Sequence, residues 1–173
     1  MIALGTPAPT FRCEAYLPDG RIESISLADY RGRWIVLSLW PFDFTQPCQV
    51  HLRAYSDLAH DFAVSGAVLL GASVDSAYAH GAWIRHTLGT VHFPLLGDTT
   101  RELTQGLGVL AAHGGAVRST FIVDPEGRVV SVSVHAFDVA PSPHETLRLL
   151  HALQGGELAA SVWPSGETFA VAA

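Results

Sequence analysis

The sequence predicts a single α/β domain in which strands and helices alternate along the chain. Two apolar runs, Trp34–Trp40 and Ala67–Val74, have the length and composition of buried strands. A segment in which apolar residues recur at helical spacing follows each run. The chain has 173 residues, of which 49% are hydrophobic and 15% charged. It is therefore long and apolar enough to enclose one full core.

The N-terminal half is predicted to contain a hairpin and the first strand–helix unit. Residues 9–26 are typical of a hairpin, with Pro18-Asp19-Gly20 as its turn. Residues 27–32 indicate a short helical turn and a loop. Beyond the first apolar run, the helical spacing extends from Cys48 to about Val64.

The C-terminal half is predicted to hold a second strand–helix unit, a second hairpin and a last helix. Ser76 is a candidate N-cap, and Asp98, Thr99 or Thr100 is a candidate cap for a helix that ends near Gly106. The remaining predicted elements are a helix over 76–88, a short strand or loop over 93–98, strands over 119–124 and 128–135 joined through Pro125-Glu126-Gly127, and an amphipathic helix from Ser142 to about Gln154.

This order of elements fits a thioredoxin-like α/β sandwich to which the first hairpin is added as an N-terminal β-hairpin extension. We expect one domain over residues 1–155 and a C-terminal tail over 156–173, which is rich in Gly, Ala and Ser. Since fold alone does not give function, the chemistry has to come from particular residues.

Composition excludes several classes of function. The formal net charge is −6 and there is no cluster of basic residues, which argues against a nucleic-acid binder. No apolar run approaches 18 residues, and the N-terminus does not resemble a signal peptide. The two cysteines, Cys13 and Cys48, are too few for a disulfide scaffold, so we expect a cytoplasmic protein. The nine histidines show no metal-ligand spacing, and no metal site is expected.

Cys48 is the residue most suggestive of chemistry. It follows a predicted strand and a short loop and stands where a helix is predicted to begin, among backbone N–H groups that stabilise a thiolate. The hydroxyl of Thr45 lies three residues upstream, where it can cap the helix and also donate to a bound peroxide. Pro41 and Pro47 would stiffen the loop and shield the sulfur.

The pattern Pro41-x-x-x-Thr45-x-x-Cys48 resembles the active-site signature of the peroxiredoxins, the alkyl hydroperoxide reductase/thiol-specific antioxidant family. The resemblance covers about residues 5–155. Five further segments resemble family segments in the same order: Gly32-Arg33-Trp34, Asp43-Phe44-Thr45, Ala67–Asp75, Phe93–Asp98 and Arg118–Gly127.

The resemblance implies a thiol-dependent peroxidase that needs no metal, haem or flavin. Cys48 would be the peroxidatic cysteine, which attacks hydrogen peroxide or an organic hydroperoxide and becomes a sulfenic acid. Thr45 and Pro41 would shape its pocket, with Pro47 and Phe44 beside them. Arg118 would lie against the sulfur.

His51 falls where many family members carry a glutamate that orients the arginine. A histidine at this position is expected to make the site pH-dependent in a way that a glutamate would not.

The resemblance also implies a departure in the second half of the catalytic cycle. Ala159 stands where typical two-cysteine members carry the resolving cysteine, so the usual intersubunit disulfide cannot form. Either an external thiol reduces the Cys48 sulfenic acid directly, in a one-cysteine cycle, or Cys13 resolves it. The implied partners are a peroxide, a thiol reductant (a thioredoxin-like protein, a glutaredoxin-like protein or a low-molecular-weight thiol) and further copies of the chain, as a homodimer or larger ring. A redox sensor or a holdase with low turnover is the alternative from another class.

Overall fold

The computed structural model describes residues 1–155, which form one seven-stranded sheet with helices on both faces. This arrangement confirms the predicted thioredoxin-like α/β fold. The strands are β1 (Arg12–Tyr16), β2 (Ile22–Ser26), β3 (Trp34–Leu39), β4 (Ala67–Ser73), β5 (Leu95–Gly97), β6 (Ser119–Val123) and β7 (Val129–Val134). The helices are α1 (Gln46–Asp57), α2 (Ala59–Val64), α3 (Ala77–Trp83), α4 (Glu102–Gly106) and α5 (Pro143–Gly155). A short 3₁₀ turn spans Leu27–Tyr30.

The sheet has the strand order β2-β1-β5-β4-β3-β6-β7. Strands β3, β4 and β5 are parallel to one another, and every other pair is antiparallel. The N-terminal hairpin joins the sheet through the antiparallel pair β1–β5, where Ala15 lies opposite Leu96. The predicted extension is therefore part of the main sheet, since it continues the sheet beyond β5.

Alternation along the central strand β3 divides the core into two halves. Ile35, Leu37 and Leu39 pack on one face with residues of β1 and α4. Val36 packs on the other face, against α1, α2 and α5, and Trp40, just beyond the strand, packs there too. Because side chains alternate along a strand, Ser38 also points to this second face, on which α1 lies.

The first long helix differs from its prediction at both ends. It begins at Gln46, two residues before Cys48, and it ends at Asp57, because Leu58 leaves the helical conformation with φ −100° and ψ 8°. The break lies beside Ser56, whose hydroxyl donates to the carbonyl of Thr90 and accepts from the amide of His92. The single helix expected up to Val64 is therefore two helices. The spacing of apolar residues could not predict the break, because the hydrogen bonds of Ser56 join segments that are distant in sequence.

The predicted N-cap Ser76 is confirmed, whereas the N-cap residue of α4 is Arg101 and Asp98 binds the start of that helix from further upstream. The Ser76 hydroxyl accepts a hydrogen bond from the amide of Ala79, as an N-cap does. The helix that it starts continues from α3 into a π-helical segment, Ile84–Leu88. The buried Asp98 carboxylate accepts from the amides of Leu103 and Thr104 at the start of α4, although it lies four residues before Glu102, the first residue of that helix.

The C-terminal half follows the prediction closely. β6 and β7 form the second hairpin, and α5 begins one residue after Ser142, whose hydroxyl accepts from the amide of Glu145. The tail predicted over 156–173, with Ala159, lies outside the described residues. Among helices of residues 1–155, none is both long and apolar enough to cross a membrane. Over the same residues, no three His, Cys, Asp or Glu side chains converge as a metal site would require.

Candidate active site

Cys48 lies in the first turn of α1, directly beyond the loop that leaves β3. Thr45 is the N-cap residue and Pro47 occupies the first turn, where a missing N–H costs nothing. The first backbone bond of the helix runs from the amide of Gln49 to the carbonyl of Thr45. The amide of Cys48 itself therefore has no partner within the helix and is a donor that faces the N-terminal end. Both this donor and the helix dipole favour negative charge on the Cys48 sulfur.

The guanidinium of Arg118 binds the Cys48 sulfur. Its Nη2 donates to Sγ at 3.2 Å, and the same nitrogen and Nε donate to the carbonyl of Phe137 at 2.9 and 3.1 Å. Arg118 precedes β6 by one residue, and the amide of His135 donates to its backbone carbonyl. The hairpin of β6 and β7 thus fixes both the backbone and the side chain of the arginine beside the thiol.

His51 completes this group from one turn further along α1. Its Nδ1 lies 2.9 Å from Nη1 of Arg118, and its Nε2 lies 2.7 Å from Oγ of Ser38. Because a guanidinium can only donate, Nδ1 must accept and carries no proton. The proton is therefore on Nε2, which donates to Ser38.

The charge state of His51 corrects one expectation from the sequence. Burial first, and the neighbouring charges of Arg118 and His135 second, lower the pKa of His51 to about 3. The ring stays neutral throughout the neutral pH range. The expectation that His51 would make the site pH-dependent is therefore wrong near neutral pH, since the position that a carboxylate would occupy holds an uncharged acceptor.

The charge of Arg118 has few possible counterparts. The side chain is 1% exposed, and a guanidinium keeps its charge at every working pH. The ion pairs within residues 1–155 are Arg21 with Asp19 and Glu23, His80 with Asp43, and Arg148 with Glu145. Arg118 is in none of them, and of its partners only the Cys48 sulfur can become negative.

The loop before α1 holds the other residues predicted for the site. Pro41 is buried, Pro47 is half-buried, and Phe44 is 58% exposed in a left-handed conformation with φ 57°. The Thr45 hydroxyl donates to the carbonyl of Phe42 at 3.1 Å and makes no bond to a helix amide. The prediction that this hydroxyl caps the helix is therefore wrong, because the chain folds back and offers it the nearer carbonyl of Phe42.

Cys13 lies away from this group. Its side chain packs in the core half that contains Leu37 and Leu103, on the opposite face of the sheet from Cys48. Burial, together with the negative charges of Asp98 and Glu102, raises the pKa of Cys13 to about 12. This thiol is therefore protonated at neutral pH, whereas a thiol must be ionised to attack.

Two groups at the site were not predicted. Ser38 accepts from Nε2 of His51 and so helps to orient the ring, and the Phe137 carbonyl accepts two bonds from Arg118. Ser38 is the one polar residue of the apolar strand β3, and this was a usable signal, because a buried hydroxyl needs a hydrogen-bond partner. No sequence signal marks the Phe137 carbonyl, because every residue has a carbonyl and only the tertiary fold selects one.

Comparison with known proteins gives one family. The model of the AhpC/TSA family matches residues 4–132. Peroxiredoxin-1 of Gallus gallus is 40% identical over 169 residues, which cover 94% of this chain and 85% of that protein. Alkyl hydroperoxide reductase C of Mycolicibacterium smegmatis is 42% identical over 158 residues, covering 90% of this chain and 81% of that protein.

Solved structures agree with the sequence comparisons. AhpC of Mycobacterium tuberculosis superposes with a TM-score of 0.87 at 38% identity, covering 94% of this chain and 99% of that one. The reduced 2-Cys peroxiredoxin of Plasmodium vivax superposes with a TM-score of 0.91 at 28% identity, covering 97% of this chain and 92% of that one.

Replacing His51 by glutamine is expected to reduce the acid sensitivity of folding. The pKa of His51 is lower in the folded protein than in the unfolded chain, so the unfolded chain takes up the proton first as pH falls. The stability from neutral His51 is complete above about pH 6.5 and is lost as pH falls toward about 3, by on the order of 3 kcal/mol at pH 4.

Urea titrations of the wild type and His51→Gln at pH 7 and pH 4 would measure this difference. Glutamine can still accept from Arg118 and donate to Ser38 but does not titrate, so its loss of unfolding free energy should be smaller. His60→Gln, on the exposed His60, is the matched control and should follow the wild type. Equal losses in all three proteins would contradict the assignment.

Proposed function

The chain belongs to the AhpC/TSA family and is a thiol-dependent peroxidase, and on that premise we propose that it reduces peroxides through a sulfenic acid on Cys48 in a one-cysteine cycle. One observation carries the assignment of Cys48: its sulfur is the group that can supply a negative charge to the buried guanidinium of Arg118. Because His51 is neutral, it does not compete with the Cys48 sulfur for the positive charge of Arg118, whereas a carboxylate at position 51 would.

The oxidative step follows from the donors around the sulfur. The Cys48 thiolate attacks the distal oxygen of the peroxide, the S–O bond forms and the O–O bond breaks. The leaving oxygen departs with the electron pair, takes up a proton and becomes water or an alcohol, while Cys48 becomes a sulfenic acid. Arg118 and the amide of Cys48 donate toward the charge that develops on the oxygens. Their positions are fixed before the reaction, by Phe137 and by the helix.

We assign Thr45 a contact with the substrate in this cycle, as an acceptor and not as the donor that the sequence led us to expect. Its hydroxyl proton is directed to the carbonyl of Phe42, so the oxygen lone pairs remain free to accept from the O–H of a hydroperoxide. Arg118 donates and Thr45 accepts, and together they would orient the O–O bond toward the sulfur. Pro41 and Pro47 restrict the loop that holds Thr45 in place.

The one-cysteine cycle is favoured by the placement of Cys13. A resolving thiol must approach Cys48 to within about 4–7 Å between Cα atoms, whereas Cys13 packs on the other face of the sheet. Its raised pKa, about 12, keeps it from acting as a nucleophile. Two external thiols then complete the cycle: the first forms a mixed disulfide with Cys48 and releases water, and the second restores the Cys48 thiol. Such a cycle requires a reducing compartment, for which we propose the cytoplasm.

We further propose that the chain forms a homodimer through the edge of β7, which pairs with no further strand among residues 1–155. This strand is the last in the sheet order, and exposed apolar side chains lie on it and directly after it: Val134, Phe137 and Val139 are 42%, 46% and 51% exposed. An unpaired edge with adjacent apolar surface favours pairing with a second copy. Since Phe137 also binds Arg118 through its carbonyl, such a contact would steady the active site.

Cys48→Ser is expected to abolish peroxide consumption in the presence of a thiol reductant. Serine cannot form the sulfenic acid, because its hydroxyl is not a nucleophile at neutral pH. Cys13→Ser is the matched control and should retain most of the activity. Steady-state consumption of hydrogen peroxide by the three proteins would measure this. A wild type that is oxidised but fails to turn over would favour the redox sensor or holdase instead.

Mass spectrometry after one equivalent of peroxide is expected to find a sulfenic acid on Cys48 and two separate cysteines. Dimedone should label Cys48 in the wild type and in Cys13→Ser at the same rate. The burial of Cys13 and its high pKa are the physical reasons for this expectation. A disulfide between Cys13 and Cys48 would refute the one-cysteine cycle and establish the two-cysteine alternative.

Arg118→Ala is expected to slow oxidation of Cys48 by about 10²–10³-fold, because it removes both the charge beside the thiolate and the donor to the leaving oxygen. The oxidation rate of Arg118→Lys should lie between those of the wild type and Arg118→Ala, because an ammonium keeps the charge but lacks the planar group that binds Cys48, His51 and Phe137 together. Arg148→Ala, on the exposed ion pair with Glu145, is the control. Stopped-flow measurement of oxidation would decide, and unchanged rates in Arg118→Ala would remove Arg118 from the mechanism.

A further inference from the structure

A second buried polar group lies under the loop that leads to Cys48, and the mechanism above does not use it. His80 of α3 is completely buried, and its Nδ1 lies 2.7 Å from Oδ2 of Asp43, whose side chain is 1% exposed. The other carboxylate oxygen accepts from the indole Nε1 of Trp40 at 2.9 Å. Asp43 lies five residues before Cys48, between Pro41 and Thr45.

The partners of His80 define where its protons are. Its Nε2 lies 3.1 Å from the carbonyl of Leu96 on β5, and because a carbonyl only accepts, Nε2 must carry a proton. Its Nδ1 faces the Asp43 carboxylate, with one more proton between them. Both side chains are therefore fully hydrogen-bonded, and the removal of either partner leaves the other one buried and unpaired.

The backbone of the loop is anchored at the same residue. The amide of Asp43 donates to Oδ2 of Asp75, which also accepts from the hydroxyl of Ser73 at the end of β4. The next residue, Phe44, has a positive φ and an exposed ring, which is an unfavourable conformation for a bulky side chain. The anchors at Asp43 therefore hold a loop whose own conformation works against it.

This anchor bears on the two halves of the catalytic cycle differently. Cys48 is fully buried while its sulfur is bound by Arg118. Hydrogen peroxide is little larger than water and needs only a small gap to reach the sulfur. A reductant whose thiol is part of a peptide or protein needs the loop and the first turn of α1 to move.

We propose that Asp43 and His80 are positioning residues that form a latch on the Cys48 loop. The closed latch holds the sulfur against Arg118 for oxidation, and its opening exposes the sulfenic acid to the external thiol. The proposal rests on the one-cysteine cycle proposed above. In the step that it controls, a thiol attacks the sulfenic sulfur, the new S–S bond replaces the S–O bond, and the oxygen leaves as water with the thiol proton.

The test compares Asp43→Ala with Asp43→Asn. Alanine removes both bonds of the side chain without leaving an unpaired carboxylate. The asparagine amide can donate to Nδ1 of a neutral His80 while its oxygen accepts from Trp40, so the latch keeps its contacts. Loss of the two buried hydrogen bonds of the Asp43 side chain predicts a shift of about tenfold toward the open loop in Asp43→Ala.

The measurements are the rate at which dimedone labels the Cys48 sulfenic acid, the rate at which glutathione reduces it, and the rate of its formation by hydrogen peroxide. In Asp43→Ala the first two should rise by about tenfold while the third does not rise. In Asp43→Asn all three should stay within about threefold of the wild type. A ratio of reduction to oxidation that is unchanged in Asp43→Ala would overturn the proposal.

Two further variants separate a latch from a general loss of stability. His80→Leu breaks the latch from α3 and should raise labelling as Asp43→Ala does. Leu107→Ala opens a cavity in the other half of the core, so it should lower the melting temperature and leave the labelling rate unchanged. Equal labelling in Asp43→Ala and Leu107→Ala at matched stability would refute the latch. A wild type that gives no dimedone adduct at all would instead refute the sulfenic acid of the proposed function.

Discussion

The chemistry of this protein depends on one buried contact, the hydrogen bond from Arg118 to the Cys48 sulfur. A guanidinium in a protein interior needs a negative partner, and its other hydrogen-bond partners within residues 1–155 are a neutral imidazole and a backbone carbonyl. The Cys48 sulfur is the partner of Arg118 that can carry the matching negative charge. The proposed peroxide chemistry starts from this contact.

The sheet brings the two partners together from distant parts of the chain. Cys48 follows β3 and Arg118 precedes β6, and these strands are antiparallel neighbours, with Leu39 opposite Ser119. The C-terminal end of β3 and the N-terminal end of β6 therefore lie side by side at the same end of the sheet. Alternation along β3 turns Ser38 toward α1, so that it fixes His51, which in turn binds the arginine.

The hydrogen-bonded pair of Asp43 and His80 supports the loop that leads to Cys48. Asp43 and His80 connect the segment before Cys48 to α3 and β5, and the ring of His80 packs against Trp40 in the core half that contains Cys48. Arg118 contacts the sulfur, while Asp43 and His80 hold the loop before it. Both contacts join residues that are distant in sequence: His80 is 37 residues from Asp43, and Arg118 is 70 residues from Cys48.

The sequence by itself determined the order of strands and helices, the two hairpins and the cysteine at a helix start, because these depend on local periodicity, turn residues and spacing. It also placed Thr45, Pro41, His51 and Arg118 near Cys48, through a motif that carries family resemblance. Only the tertiary structure decided the break at Leu58, the neutral state of His51, the bond of the Thr45 hydroxyl to Phe42, and the pairing of Asp43 with His80. The physical reason is that burial and long-range contacts set the protonation of a side chain and its choice of partner, and neither is encoded in the residues next to it.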